Sequence, residues 1–279
     1  MADPTPSKSA IREAATVVLL RDGAGGAPEV LLVQRNRGAV FMADAHVFPG
    51  GRLEARDGGD FAMASAREAF EEAGVLLAVD AQGGSPDLRG AGWLPEARHA
   101  VQKGEVEFTS FLAGRGLRFD AGQLCYFARW ITPPTEARRF DARFFLARVP
   151  EHQEGAPDPA GEVVDFHWAP PARFLALSAE GKIKLPPPTL WHLGDLSRHA
   201  TVESALAWAR SRTIIAVRPK LAPWQGRVSI VLPWDPDYAR VPVDEGEAIA
   251  ADHPVVTQPT TRFVLDSELW RAVDARRPA

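Results

Sequence analysis

The chain has 279 residues, of which 46% are hydrophobic and 24% charged, and its formal net charge is -4 at pH 7. This composition is typical of a globular protein with a sizeable core, and the lack of a strong positive charge argues against a nucleic-acid-binding protein. No run approaches the roughly 18 apolar residues of a membrane-spanning helix. The N-terminus lacks a signal-peptide core, the last residues are not a peroxisomal address, and the single Cys125 fits a reducing compartment. We therefore expect a soluble, cytoplasmic protein with no membrane or nucleic-acid partner.

The sequence predicts a flexible arm at residues 1–12, followed by a hairpin of two apolar, β-branched strands. These strands are 15–20 and 29–35, and the Gly- and Pro-containing segment between them is a loop. The pattern then changes period, because apolar residues recur at steps of three and four, which predicts the buried face of a helix. The residues of this face are Ala62, Ala66, Ala69, Phe70 and Ala73, and Gly74 follows them as a helix stop.

Further along the chain, predicted strands are interspersed with predicted helices. The strands are 123–133, 143–150, 162–170, 213–219, 227–234 and 261–266, with a turn at 221–226. The helices lie within 97–116, at 171–181 and around 201–211. Because no regular βαβ alternation is present, we expect an α+β fold with helices layered on a sheet. We divide it into a main domain, 13–200, and a C-terminal α/β extension, 201–279, packed on it.

Three glutamates, Glu68, Glu71 and Glu72, lie on the first predicted helix at spacings of three and four residues, which places them on one face. A solvated acidic surface is the ordinary explanation for such a run. The upstream pair Gly50 and Gly51 favours a metal site, because glycine backbone approaches a ligand closely and its carbonyl is a hard oxygen donor. Magnesium prefers such oxygen ligands and commonly bridges carboxylates to substrate phosphates.

The segment GGRLEARDGGDFAMASAREAFEEAGV, residues 50–75, resembles the Nudix box, whose pattern is G-x5-E-x7-R-E-U-x-E-E-x-G-U with U apolar. The second half matches from Arg67 to Val75. In the first half, Asp57 stands in place of the glutamate, and nine residues instead of seven separate it from Arg67. An enlarged box with an aspartate also characterises the acyl-CoA diphosphatase branch of this family, whose similarity covers most of residues 12–200.

The resemblance implies a Nudix α/β/α sandwich around a mixed β-sheet, and an enzyme that hydrolyses a nucleoside diphosphate derivative with Mg²⁺ or Mn²⁺. By position in the motif, the metal ligands would be Glu68, Glu71, Glu72 and the carbonyl of Gly50. One of the glutamates would act on the attacking water. Family members are often dimers, so the resemblance also implies a homodimer.

Two further catalytic residues follow from the same resemblance. Arg67 would pair with Asp57 or Glu71 and orient the helix. Glu162 occupies the position of a later glutamate that meets the metal or the water in many members of the family.

A second motif precedes the box. LLVQRNRGAVFMADAHVFPGG, residues 31–51, resembles the coenzyme A motif L-L-T-x-R-[SA]-x3-R-x3-G-x3-F-P-G-G. The leucines, Arg35 and the terminal FPGG align, whereas four positions depart: Val33, Asn36, Val40 and Asp44. The resemblance implies a CoA-like substrate, and the substrate-binding candidates are Arg35, Arg37, Phe48 and Gly51. Arginine is suited to this role because it contacts phosphate through two N–H groups.

The leading hypothesis is therefore hydrolysis of CoA or acyl-CoA to 3′,5′-ADP and a 4′-phosphopantetheine product. The alternative within enzymes is a Nudix pyrophosphatase acting on ADP-ribose, NADH or another nucleoside diphosphate derivative. A third hypothesis is a Nudix-fold nucleotide-binding module without catalysis, against which the intact glutamates argue. Residues 201–279 carry no recognisable chemistry in their sequence.

Overall fold

The computed structural model describes residues 10–36, 44–156, 163–243 and 246–276. The first nine strands in these residues are β1 (Ile11–Asp22), β2 (Pro28–Arg35), β3 (His46–Val47), β4 (Gly50–Arg52), β5 (Ala78–Val79), β6 (Arg118–Phe119), β7 (Cys125–Ile131), β8 (Arg139–Arg148) and β9 (Val163–Ala169). The later strands are β10 (Ala216–Val217), β11 (Lys220–Trp224), β12 (Arg227–Val231), β13 (Arg262–Asp266) and β14 (Leu269–Val273). The helices are α1 (Phe61–Ala73), α2 (Leu94–Gln102), α3 (Phe108–Ala113), α4 (Pro171–Ala179), α5 (Pro187–Leu196) and α6 (Val202–Arg210). None of the helices in the described residues has the length and apolar character needed to cross a bilayer.

An eight-stranded mixed sheet forms the centre of the molecule, in the order β10-β7-β8-β1-β2-β3, with β4 also paired to β1 and β9 to β2. The predicted hairpin of β1 and β2 is confirmed, and the two strands pair antiparallel beside the turn. Strand β1 runs parallel to β8 from Ile11 opposite Arg139 to Leu20 opposite Arg148. The strand therefore begins inside the segment that the sequence assigns to a flexible arm, because Ile11 and Arg12 have pairing partners on β8. The rest of that arm, residues 1–9, lies outside the described residues.

Side chains alternate between the two faces of the sheet, as expected for strands buried on both sides. Val17 and Leu19 of β1 pack with α1, α2 and α3. Val18 and Leu20 point to the other face and pack with α4, α5, α6 and part of the C-terminal extension. The expected α/β/α layering around a mixed sheet is confirmed.

Helix α1 lies where the sequence predicts it. It begins after Asp60, whose side chain accepts hydrogen bonds from the amides of Ala62 and Met63. It ends at Gly74, which adopts the left-handed conformation with φ of 67° and accommodates the chain reversal without a side-chain clash. The predicted apolar stripe faces the sheet, and four of its residues are fully buried: Ala66, Ala69, Phe70 and Ala73.

In the second half of the chain, one prediction is corrected and two elements appear that the sequence does not predict. Helix α5 was missed because its sequence begins with a run of prolines, yet Pro187 and Pro188 occupy the first turn, where a missing amide N–H costs nothing. The predicted turn at 221–226 is mostly strand β11, with the turn itself confined to Gln225 and Gly226. Strand β14 was not predicted, and it closes the antiparallel sheet β11-β12-β13-β14.

Candidate active site

The double glycine lies on β4, which pairs with β1 and passes beside α1. A Cβ atom on Gly51 would fall 2.2 Å from Glu68 Oε1, so this carboxylate occupies the space that only glycine leaves open. The amide N–H of Gly50 donates a hydrogen bond of 2.9 Å to Glu72 Oε2. Glu68 and Glu72, one turn apart on the helix, therefore both lie against the glycine pair.

Glu71 has a different environment. Its Oε1 accepts a hydrogen bond of 3.1 Å from Arg56 Nη2, and its Oε2 accepts one of 3.0 Å from Arg67 Nη1. Because successive helical residues are rotated by about 100°, Glu71 points well away from Glu72 even though both lie on the broad acidic side of the helix. Glu68 and Glu72 thus lie against glycine backbone, whereas Glu71 has both carboxylate oxygens bonded to arginines.

Arg67 is the centre of a buried ionic network. Its Nε lies 2.8 Å from Asp57 Oδ1 and its Nη2 lies 3.1 Å from Asp57 Oδ2, which is the paired geometry that favours arginine–carboxylate bonds. Its Nη1 also lies 2.8 Å from Glu68 Oε1. Burial disfavours the charge on Arg67, but the bond to Asp57 and the charges of Glu68 and Glu71 outweigh burial and raise its pKa. Both predicted partners of Arg67, Asp57 and Glu71, are confirmed.

The enlarged segment between Asp57 and Arg67 has a clear local structure. A short 3₁₀ turn, Ala55–Asp57, is fixed by a hydrogen bond of 2.8 Å from the amide of Glu54 to Asp57 Oδ2. Gly58 and Gly59 follow with φ of 63° and 80°, and reverse the chain before α1 begins. This turn places the carboxylate of Asp57 against the guanidinium of Arg67.

The glutamates are nearly inaccessible to solvent, with 5 to 8% of their surface exposed. Burial raises the pKa of Glu68 to about 7, an effect that Arg67 opposes and Glu71 reinforces. Burial also raises the pKa of Glu71, although Arg67 and Arg56 favour its charged form. The positive charge around Glu68 therefore does not fully offset the cost of burying its carboxylate.

This environment fits a divalent cation. Glu68 and Glu72 supply hard carboxylate oxygens beside the double glycine, and added positive charge would stabilise their ionised forms. The described residues contain no group of three or more His, Cys, Asp or Glu side chains arranged to hold a metal ion. A cation bound here would thus take its remaining ligands from a backbone carbonyl, water and substrate oxygens, as Mg²⁺ commonly does.

The other predicted site residues have separate locations. Arg35 ends β2 opposite Val163 of β9, is half-buried, and its Nε has no hydrogen-bond partner among the described residues. Phe48 lies in the hydrophobic core with 3% of its surface exposed. Arg37 and Glu162 lie outside the described residues.

Two arginines in contact with this site were missed by the sequence reasoning. Arg56 belongs to the turn before α1 and binds both Glu71 and Glu54. Arg98, on α2, donates to the backbone carbonyl of Glu71. Arg56 occupies a variable position of the motif, and Arg98 lies outside it, 27 residues from Glu71 in sequence, so only the fold reveals these contacts.

A shallow depression of about 430 Å³ lies at the beginning of α1, between Phe61 and Arg143. None of its lining residues belongs to the predicted site. The guanidinium of Arg143 lies 3.4 Å from the centre of the Phe61 ring, which explains how an arginine is held at this position. The depression is therefore separate from the glutamates.

Comparison with solved structures relates this geometry to known proteins. The crystal structure of a NUDIX hydrolase from Alicyclobacillus acidocaldarius superposes with a TM-score of 0.66 at 30% sequence identity, covering 72% of this chain and 97% of that one. This chain belongs to the Nudix hydrolase family. The NUDIX domain model matches residues 10–99, and the NUDT19 Nudix domain model matches residues 59–196.

Among curated relatives of this Nudix hydrolase, putative nudix hydrolase 7 of Caenorhabditis elegans is 28% identical, over 93% of this chain and 87% of the relative. Acyl-coenzyme A diphosphatase NUDT19 of Gallus gallus is 26% identical, over 73% of this chain and 72% of the relative. Hydrolases of the Nudix family generally use divalent metal ions. The sequence-based prediction of an enzyme of this family is confirmed.

Proposed function

We propose that this Nudix hydrolase cleaves the pyrophosphate of CoA or acyl-CoA, releasing 3′,5′-ADP and a 4′-phosphopantetheine product. The observation that carries the chemistry is the placement of Glu68 and Glu72 against Gly50 and Gly51. The choice of substrate is supported by the match to the NUDT19 Nudix domain and by the similarity to acyl-CoA diphosphatases. The CoA-type motif that ends in the double glycine supports the same substrate.

In this proposal Glu68, Glu72 and the Gly50 carbonyl hold Mg²⁺ or Mn²⁺. The metal would neutralise phosphate oxygens and lower the pKa of a bound water. Glu71, the third ligand expected from the motif, has both carboxylate oxygens bonded to arginines, so we propose that it acts on the site through Arg56 and Arg67. The network around Arg67 keeps α1 at a fixed distance from β4.

The remaining predicted residues would serve the substrate. Arg35 and Arg37 would contact its phosphates, and Gly51 would let them approach the backbone. Phe48 would support the glycine pair from the core side, and Glu162 would supply a further acid. We also propose a cytoplasmic homodimer, supported by the family resemblance.

The choice of substrate is tested by product analysis with ³¹P NMR detection. The compounds compared, each with Mg²⁺, are CoA, acetyl-CoA, NADH and ADP-ribose. We expect CoA or its thioester to be cleaved with the highest kcat/KM. Faster cleavage of ADP-ribose or NADH would contradict the CoA hypothesis and support the alternative substrate. Affinity for these compounds with no turnover in Mg²⁺ or Mn²⁺ would instead indicate a binding module.

The matched variants Glu68→Gln, Glu72→Gln and Glu71→Gln test the assignment of the glutamates. We expect losses of kcat greater than about a hundredfold for the first two, and a loss between about tenfold and a hundredfold for the third, because it acts through other residues. Mn²⁺ binding followed by electron paramagnetic resonance should weaken in the first two variants only. If Glu71→Gln weakened Mn²⁺ binding as much as Glu68→Gln and Glu72→Gln do, Glu71 would be a metal ligand as well.

A further inference from the structure

Arg98 is a buried cation at the C-terminal end of α1, with 2% of its surface exposed. Its Nε donates a hydrogen bond of 3.0 Å to the carbonyl oxygen of Phe70, and its Nη2 donates one of 3.0 Å to that of Glu71. The carbonyl of Phe70 also accepts a hydrogen bond of 3.0 Å from the amide of Gly74, and the C-terminal end of a helix carries partial negative charge. A guanidinium at this position therefore supplies a donor to the carbonyl of Glu71, adds a second donor to that of Phe70, and opposes the negative charge of the helix end.

The same side chain joins α1 to a second segment. Arg98 Nη1 donates a hydrogen bond of 3.2 Å to the carbonyl of Ala156, and the amide of Ala156 donates one of 2.8 Å to the carbonyl of Ala73. The contact is close, since a Cβ atom on Gly74 would lie 3.1 Å from Arg98 Nη1. One arginine thus connects α2, the last turn of α1 and the chain at residue 156.

The position of Glu72 makes this connection relevant to catalysis. Glu72 is the last residue but one of α1, within the turn of a helix that most readily frays. Its carboxylate must nevertheless remain at 2.9 Å from the amide of Gly50. The peptide unit immediately before Glu72 carries the carbonyl of Glu71 that Arg98 binds.

We propose that Arg98 is a positioning residue that fixes the last turn of α1 and thereby the carboxylate of Glu72. The inference rests on the proposed catalytic role of Glu72. Arginine suits this position because its planar fork reaches three carbonyl groups at once, whereas the single ammonium of lysine has no such fixed geometry. Arg98 acts through the backbone of α1, so its loss should affect turnover more than substrate affinity.

The experiment compares Arg98→Lys with Gln153→Ala in the full-length protein. Gln153 is a matched control because it is also buried and also binds backbone, through Leu76 and Pro86, but just beyond the end of α1. We expect Arg98→Lys to lower kcat by about tenfold to a hundredfold, as a displacement near 1 Å does, with KM changed less than about twofold. Gln153→Ala should lower the melting temperature but leave kcat within about twofold of the wild type.

Hydrogen exchange supplies a readout that needs no substrate. In Arg98→Lys, the amides of Gly74 and Ala156 should exchange at least about tenfold faster than in the wild type, since both belong to the connected segment. Unchanged exchange and kcat in Arg98→Lys would overturn the inference, as would an equal loss of kcat in Gln153→Ala. If Arg98→Lys does not fold, the wild type alone supplies the test. The inference would also be overturned if the amide of Gly74 exchanged about a hundredfold faster than that of Ala156. Matching exchange rates of the two amides would support it. A wild type without diphosphatase activity refutes the proposed function but leaves the exchange result valid.

Discussion

Replacing Gly51 by alanine should separate catalysis from stability in this Nudix hydrolase. The added Cβ would lie 2.2 Å from Glu68 Oε1 and 2.7 Å from its Cδ. The backbone of Gly51 does not occupy the left-handed region, so alanine brings no conformational strain there. The clash is with the end of a flexible side chain, which can rotate away while the strand remains in place.

The size of the effect follows from these distances. An ordinary contact begins at 3.4 Å, so the Glu68 carboxylate must move by about 1.2 Å, which also breaks its bond of 2.8 Å to Arg67. Losing a hydrogen bond to a charged group lowers the unfolding free energy by about 2 kcal/mol. Replacing glycine by alanine raises it by about 0.5 kcal/mol, because alanine reduces the conformational entropy of the unfolded chain. Unfolding free energy should therefore fall by only about 1.5 kcal/mol, whereas kcat should fall by about a hundredfold.

Urea unfolding and steady-state hydrolysis of CoA measure the two quantities. Gly92→Ala is the matched control, because a Cβ there meets no atom within 4 Å and its φ is likewise outside the left-handed region. The control should retain wild-type kcat and gain about 0.5 kcal/mol in unfolding free energy, because alanine lowers the entropy of the unfolded chain there too. A Gly51→Ala enzyme with kcat within about threefold of the wild type would refute the assignment of Glu68 to the reacting centre.

Three further outcomes follow from the structure. Gly50→Ala should cost about 3 kcal/mol in urea unfolding, because its Cβ would lie 2.6 Å from the backbone oxygen of Ala15 and cannot be relieved by a side chain; a stable variant would contradict this geometry. Asp57→Asn should cost about 3 kcal/mol by leaving the buried Arg67 short of charge compensation, and a loss below about 1 kcal/mol would show that Arg67 does not depend on Asp57. Burial lowers the pKa of His192 from 6.5 to about 3. The unfolded chain therefore binds the proton first, and stability should fall by about 2 kcal/mol as the pH drops from 7 to 5. His192→Phe should remove that part of the acid sensitivity in parallel melts, and an unchanged pH profile would refute it.

The sequence predicts α1 with accuracy because its signals are local. Gly74 ends it, and the apolar period of its buried face matches one helical face. The sequence does not predict helix α5 or strand β11, because proline ordinarily interrupts both kinds of element. Proline is tolerated at the first turn of α5, and Pro223 is tolerated because β11 is an edge strand of its sheet.

The spacing of the glutamates predicts a shared side of the helix but not their individual partners. Whether an acid faces backbone or arginine depends on where the fold places the turn Ala55–Asp57 beside α1. The motif carries Arg67 and its acidic partner in its pattern, so this pair was predictable. Arg56 and Arg98 have no fixed place in the motif, and their contacts with Glu71 arise from packing across 15 and 27 residues of sequence.

The sheet face opposite α1 explains how residues beyond 200 contribute to the enzyme. Strand β10 pairs with the edge of β7, where Val217 lies opposite Trp130. Trp234 packs against Trp191 with ring centres 4.9 Å apart, within the same hydrophobic cluster as Val18 of β1. One hydrophobic cluster thus contains residues from both sides of residue 200, consistent with an extension packed on the main domain. Alternate residues of β1 pack against α1, so the extension supports, from the opposite face of the sheet, the strand on which α1 packs.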